Sequence, residues 1–206
     1  MDFPPAEYQR QLRNLFSVLR VIVRRSAEGT QNVEHYAAQL EGRIAALSRI
    51  HQMLMRAPGA EIDLNELVSG EIVSLVMPAR RYSIEGPEIR IAGDAAGPVG
   101  LALHELAVNA LVHGAFTTAE GHVAIEWKIV NESETAWLQL ELRETASLPT
   151  PPTPPKKGFG LEVIERTLTY ELNARTAIAF GGNGAHCIIQ IPRDPATRLW
   201  RASPEL

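Results

Sequence analysis

The chain has 206 residues, 45% hydrophobic and 21% charged, enough for one domain of ordinary size plus an extra element, and too apolar for wholesale disorder. A formal net charge of −4 argues against a nucleic-acid binder that works by neutralising phosphates. Cys187 is the single cysteine, so no internal disulfide is possible and a cytoplasmic protein is expected; it sits in an apolar, strand-like run and reads as core. No run is read as reaching the roughly 20 apolar residues that span a bilayer, and the first residues, MDFPPAEYQRQ, lack the apolar centre of a signal peptide. Neither a His/Cys cluster with metal-ligand spacing nor a Ser-His-Asp arrangement stands out.

Pro4 and Pro5 end an N-terminal tail. Residues 7–27 then predict a helix, because Leu12, Leu15, Phe16, Leu19, Ile22 and Val23 recur at three- and four-residue steps, and Gly29 stops it. A second helix is predicted over 31–55 from Val33, Tyr36, Leu40, Ile44, Leu47, His51 and Leu54, a pattern close to a heptad. His51 reads as a core histidine and Arg24-Arg25 as a solvated helix end. Two long helices with a short connection make an antiparallel hairpin that buries only one seam. The leftover apolar surface predicts a second copy, a four-helix bundle and hence a homodimer through residues 7–55.

Pro58-Gly59 breaks the second helix and marks a domain boundary. Asp63 can cap a third helix, LVSGEIVSLVM, with Glu66 completing a capping box and Pro78 closing it. Two short strands are expected at 82–85 and 88–92, split by a Gly86-Pro87 turn. The following stretch, which contains LALHELAVNALVHG, predicts a helix from 95 to about 114. Val99, Leu103, Leu106 and Ala110 form one stripe, and Glu105, Asn109 and Val112 fall on the opposite face. Unpaired polar groups in a buried helix cost roughly 1–3 kcal/mol each, so this carboxylate and carboxamide need partners. Neighbouring side chains could supply them; so could a hydrated Mg²⁺ ion and a phosphate chain, which take oxygen ligands.

Strands are predicted at 122–130 and 136–144, with Asn131-Glu132-Ser133 in the turn between. Glu144 shares parity with Leu138, Leu140 and Leu142, which places a carboxylate at the strand end on the helix-covered side. Residues 145–157, TASLPTPPTPPKK, carry five prolines and form an extended loop. That loop runs into Gly158-Phe159-Gly160 and a helix, LEVIERTLTYEL, a junction where backbone amides can meet an anion. Strands at 176–180 and 185–191 follow, joined across Gly181-Gly182-Asn183-Gly184. From Pro192 onward the chain reads as a tail in which Trp200 covers a local patch.

The order of these elements resembles the core of a sensor histidine kinase, closest to the HWE/HisKA_2 group. HELAVNALVHGAF is similar to that group's N box, GFGLEVIERTLTYEL to its G2 box and following helix, YAAQLEGRIAALSRIHQML to its second hairpin helix and QRQLRNLFSVLRVIVRR to its first. The likeness extends over roughly residues 7–192. It implies an α+β fold: an antiparallel helix hairpin over 1–57 that becomes a four-helix bundle on dimerisation, an α/β-sandwich ATP-binding domain of the GHKL (Bergerat) type over 58–192, and a tail over 193–206. It implies ATP and Mg²⁺ as cofactors and a response-regulator receiver domain or phosphorelay protein as partner. By the same resemblance, His104 and Glu105 are the N-box pair, with Glu105 orienting groups at the γ-phosphate. Asn109 would hold Mg²⁺, His113 would contact the nucleotide, and Glu144 would accept a hydrogen bond from the adenine amino group. Gly158 and Gly160 would lie beside the phosphates and residues 145–157 would form the ATP lid.

Departures from that pattern matter equally. Arg10, in Arg10-Gln11-Leu12-Arg13-Asn14, stands where the family's phosphoacceptor histidine is expected, and a guanidinium has no free lone pair to act as nucleophile. Val112 replaces a basic residue that would meet phosphate, and Ala146 and Ser147 stand where a glycine is usual. Three readings follow: an ATP-binding histidine-kinase core with a degenerate acceptor, a non-catalytic module that docks a receiver domain, or another GHKL type such as an anti-sigma serine kinase. The long N-terminal hairpin argues against the last.

Overall fold

The computed structural model describes residues 16, 19–20, 23, 33–57, 61–76, 81–146, 159–182, 184–193 and 198–202. Alternating apolar residues in the second half of the chain build its main sheet. Strands β4 (His122–Glu132) and β5 (Thr135–Thr145) pair antiparallel from His122↔Thr145 to Glu132↔Thr135. The tight turn between them uses Ser133 in the left-handed region, at φ 54°. Strand β7 (Gly184–Pro192) pairs antiparallel with β5 and with β6 (Arg175–Gly181), and β2 (Tyr82–Glu85) adds to β4 in parallel. The order across the sheet is β2-β4-β5-β7-β6. Val123, Ile125, Trp127, Leu138, Leu140, Leu142, Cys187, Ile189 and Ile191 are buried on one face, as period-two alternation requires. Burial pushes the Cys187 thiol up to about 12, in keeping with a core residue.

Helices α2 (Leu64–Val76) and α3 (Gly93–Val112) belong to the core that covers this face. A third helix joins them: α4 runs through Phe159–Glu162, a π-helical turn at Val163–Thr167 and Leu168–Leu172, and ends at Asn173 in the left-handed conformation, φ 51°. Asp63 caps α2, its Oδ1 accepting from the Asn65 N–H at 2.8 Å rather than from Glu66. Helix α3 is buried almost all round, from Ala95 to Ala107 apart from Gly97, and again at Ala110. The stretch Gly93–Thr117 is, by length and composition, apolar enough to cross a membrane, contrary to the expectation of no such run. With 72% of its most apolar window buried inside the fold, it serves as the core helix.

A second, three-stranded antiparallel sheet was not legible in the sequence: β1 (Glu61–Asp63), β3 (Ile89–Ala92) and β8 (Trp200–Ala202), in the order β1-β3-β8. The strands on either side of Gly86-Pro87 therefore lie in different sheets. Trp127 explains the crossover. Its Nε1 donates to the Pro87 carbonyl at 2.8 Å, and its ring lies so close to Gly86 that a Cβ there would sit 2.3 Å from it. Residues 200–202 are a strand rather than part of a tail. Trp200 is 3% exposed, and its Nε1 donates to the Ile191 carbonyl at 3.0 Å.

Helix α1 (Val33–Arg56) is the second helix of the expected hairpin. Of the first, residues 16, 19, 20 and 23 are described and helical, and the Tyr36 hydroxyl donates to the Val23 carbonyl at 3.4 Å. The rest of that helix with Arg10, and Pro58, Gly59, Pro78, residues 147–157 and Gly158, lie outside the described residues. The stripe that α1 buries differs from the heptad-like seam. Arg43, Ala46, Leu47 and Ile50 are buried, His51 is half-buried, and Val33 and Ile44 are exposed at 80% and 42%. That stripe packs on α2 and α3. Gly100 permits the close approach, since a Cβ there would lie 2.4 Å from Ile50 Cδ1.

Trp200→Ala should lower the unfolding free energy by about 3–5 kcal/mol in urea denaturation. A loss below about 1 kcal/mol would show that β8 contributes nothing to the core.

Candidate functional site

Helix α3 carries most of the expected site residues, and the structure distributes them along its length. Glu105 is 7% exposed and meets a partner that the sequence reading did not identify: Arg43 of α1, itself 4% exposed. Arg43 Nε donates to Glu105 Oε1 at 2.7 Å and Nη2 to Oε2 at 3.1 Å, a bidentate pair. The start of α4 closes on the same carboxylate. A Cβ on Gly160 would lie 3.0 Å from Glu105 Oε2 and 3.1 Å from its Cβ, so the second glycine of Gly-Phe-Gly leaves the room that Glu105 occupies. The N-box-like helix and the G2-like turn are thus in contact.

Asn109 lies one turn further along α3 and is half-buried. Its main-chain carbonyl accepts from the His113 N–H at 2.9 Å, while its carboxamide has no hydrogen-bond partner among the described residues. His113 caps the helix and is exposed, beside Val112 at 56% exposure.

Glu144 sits at that same end. It is buried, and its Oε2 accepts from the Ala115 N–H at 2.8 Å. Two glycines shape its seat. A Cβ on Gly114 would fall 2.1 Å from Glu144 Oε2, and one on Gly184, whose φ is +108°, would fall 2.6 Å from Glu144 Cβ. Burial raises the Glu144 carboxyl above its ordinary value, against the opposing pull of the nearby Ala115 and Ala185 main-chain N–H groups. Ala146, where the related pattern has glycine, is buried.

His104 faces elsewhere. Its ring packs towards α1, where a Cβ on Gly42 would lie 3.3 Å from Nε2. Its Nδ1 is buried without a hydrogen-bond partner, 3.7 Å from Glu71 Oε2. Glu71, on α2, is fully buried and is held by Arg49 of α1, with Nη2···Oε2 at 2.6 Å and Nε···Oε1 at 3.2 Å. The structure therefore sets Glu105 between Arg43 of α1 and Gly160 of α4, with Asn109 one turn along α3, Glu144 at the C-terminal end of α3, and His104 between α1 and α2. Gly158 lies outside the described residues. A separate cavity of about 300 Å³ opens on the outer face of the main sheet, lined by Glu85, Gly86, Glu126, Trp127, Lys128, Gln139 and Glu141, and contains none of these residues.

Arg43, Arg49 and Glu71 were missed by sequence reasoning. The signal for Arg43 was present: it sits at helical spacing between Leu40 and Leu47, and a cation in a buried stripe demands an anion. Glu71 interrupts the apolar run LVSGEIVSLV in the same way.

Comparison with known proteins places this arrangement. Residues 7–88 match the sequence model of the HWE histidine kinase family. The chain is 31% identical over 186 residues to a blue-light-activated histidine kinase of Rhizobium johnstonii, covering 90% of this chain and 52% of that protein. It is 29% identical over 194 residues to blue-light-activated histidine kinase 1 of Erythrobacter litoralis, covering 91% and 52%. The solved histidine kinase domain from the Erythrobacter litoralis EL346 blue-light activated histidine kinase has the same fold, with a TM-score of 0.61 at 20% identity over 95% of this chain and 96% of that one. The chain spans about half the length of the curated relatives it matches. Over most of its length it is homologous to blue-light-activated histidine kinases, and it carries the α+β fold of a histidine-kinase core.

Proposed function

We propose that the chain is a histidine-kinase-like signalling core that binds Mg·ATP along α3, and that Arg10 prevents it from phosphorylating its own first helix. The order of groups along α3 is the observation that carries this reading. Glu144 stands at the C-terminal end, Asn109 comes next with an unpartnered carboxamide among the described residues, and Glu105 lies one turn further on against Gly160. A helix rises about 1.5 Å per residue, so Asn109 and Glu105 are about 6 Å apart along its axis. That sequence of an acceptor, a neutral oxygen ligand and a carboxylate beside a glycine turn suits an adenine, a metal ion and a terminal phosphate in turn.

Asn109 fits a magnesium ion in chemistry, because a carboxamide oxygen is a hard, neutral ligand free to turn towards a cation. Magnesium, when bound, neutralises charge on phosphate oxygens. Glu144 would accept from the base, Gly160 would let main chain approach the phosphates, and Glu105 would orient the attacking group. The transferred phosphoryl group then needs an acceptor other than residue 10, such as a histidine of a partner protein, or water.

The apolar residues that α1 leaves exposed support a homodimer through residues 7–55. Val33, Ile44 and Met55 recur at eleven-residue steps, three turns of helix, and so line one face. A receiver domain or phosphorelay protein is the proposed partner for that hairpin. A second reading, a non-catalytic adaptor, is favoured by Arg10 at the acceptor position.

Calorimetry should show Mg·ATP binding to the parent chain and at least about tenfold weaker binding to Asn109→Ala, as loss of a metal-orienting ligand implies. No heat with the parent at millimolar nucleotide would end the ATP reading. With labelled ATP alone, no acid-labile phosphohistidine should form, whereas Arg10→His should become labelled if the site is competent; label on the parent would contradict the role given to Arg10.

Glu144 adds a pH test. Because its carboxyl is raised above the ordinary 4.5, its stabilising contribution is present below that pH and lost as pH rises through the raised value. The stability of Glu144→Gln relative to the parent should therefore increase between about pH 4 and about pH 8 in thermal melts. A difference that stays flat or falls would mean that the buried carboxyl carries no ionisation penalty.

A further inference from the structure

We propose that Arg43 is a latch: in the docked position of α1 it holds both oxygens of Glu105, and phosphoryl chemistry at this site requires α1 to let go. The proposal rests on the Mg·ATP reading above and assigns its regulation. Both Glu105 oxygens accept from one guanidinium, at 2.7 and 3.1 Å, and the pair is nine-tenths buried. A carboxylate so engaged cannot orient a water or take up a proton without giving up one of those bonds.

The hold on Glu105 is part of a larger docking. Arg49, on the same helix, binds the fully buried Glu71 at 2.6 Å, and Ala46, Leu47 and Ile50 fill the space between the two ties. Gly42 and Gly100 bring α1 close, a Cβ on the first lying 3.3 Å from His104 Nε2 and one on the second 2.4 Å from Ile50 Cδ1. Two buried carboxylates on the nucleotide-binding unit thus face two arginines on a single helix. Packed interfaces of this kind switch between discrete arrangements rather than yielding gradually. A rearrangement of the hairpin that lifts α1 would free both Glu105 oxygens from Arg43 while Gly160 of α4 stays beside the carboxylate. A signal acting on the hairpin would in this way be read as access to the carboxylate.

The test compares the full chain with Arg43→Gln and with Gly42→Leu. The first variant removes the bidentate grip. The second wedges α1 away from His104 while raising its helix propensity, so the helix itself is not lost. Nucleotide binding is followed with a fluorescent ATP analogue, and turnover as phosphate released from Mg·ATP. Both variants should bind the analogue and turn over at least about fivefold faster than the parent, the lower end of typical coupling between sites. The gain should vanish when Glu105→Gln is added to either. If the variants bind nucleotide but turn over at the parental rate or more slowly, the latch is wrong and the ATP reading survives. If parent and variants all fail to bind, the ATP reading falls and the latch with it. Should Arg43→Gln show no cooperative melt, Gly42→Leu decides alone.

Discussion

Glu71 and Glu105 are carboxylates placed almost out of reach of water, and each is met by an arginine from a helix outside the sandwich. Removing one partner of a buried ion pair typically costs about 3–5 kcal/mol, because the other is left charged and desolvated. The sandwich therefore depends on α1 electrostatically as well as through Leu47 and Ile50. That dependence ties α1 into the same folded unit. Helix α1 holds both oxygens of Glu105, and through Glu71 it also sets the surroundings of His104.

Helix α3 acts as the ruler of the site. It is buried on nearly every side up to Ala107, and only its last turn emerges, so each polar group on it has a defined depth. Glu105 lies in the buried part and needs a counter-charge. Asn109 lies at the transition, its carboxamide without a hydrogen-bond partner among the described residues. The helix end then turns through Gly114 and Ala115, whose main chain receives Glu144 from β5. The turn between β6 and β7 reaches the same place through Gly184 and Ala185. Three separate chain segments thus converge on one carboxylate, and glycine appears at two of them because a Cβ would strike it.

Much of this was readable from local patterns. Alternation in residues 122–144 set the faces of β4 and β5 and placed Glu144 on the helix-covered side by parity alone. What escaped depended on distant partners or on short segments. Three-residue strands such as β1 and β8 are too short to show a period, and the assignment of 82–85 and 89–92 to different sheets is decided by the Trp127 side chain some forty positions on. The buried stripe of α1 was hidden for another reason. Its apolar residues satisfy two adjacent faces, and the heptad-like one drew attention away from the face marked by Arg43. A single arginine at core spacing was the informative residue, and its partner, 62 positions away, could be found only in three dimensions.

The central claim is that a magnesium-bound adenine nucleotide lies along α3. The most direct measurement is an NMR titration of the isotopically labelled chain with Mg·ATP. The account predicts that the Asn109 side-chain amide and the Ala115 and Ala185 main-chain amides shift together and saturate with one affinity. Shifts confined to residues lining the cavity on the outer sheet face, such as Lys128 and Gln139, would contradict it.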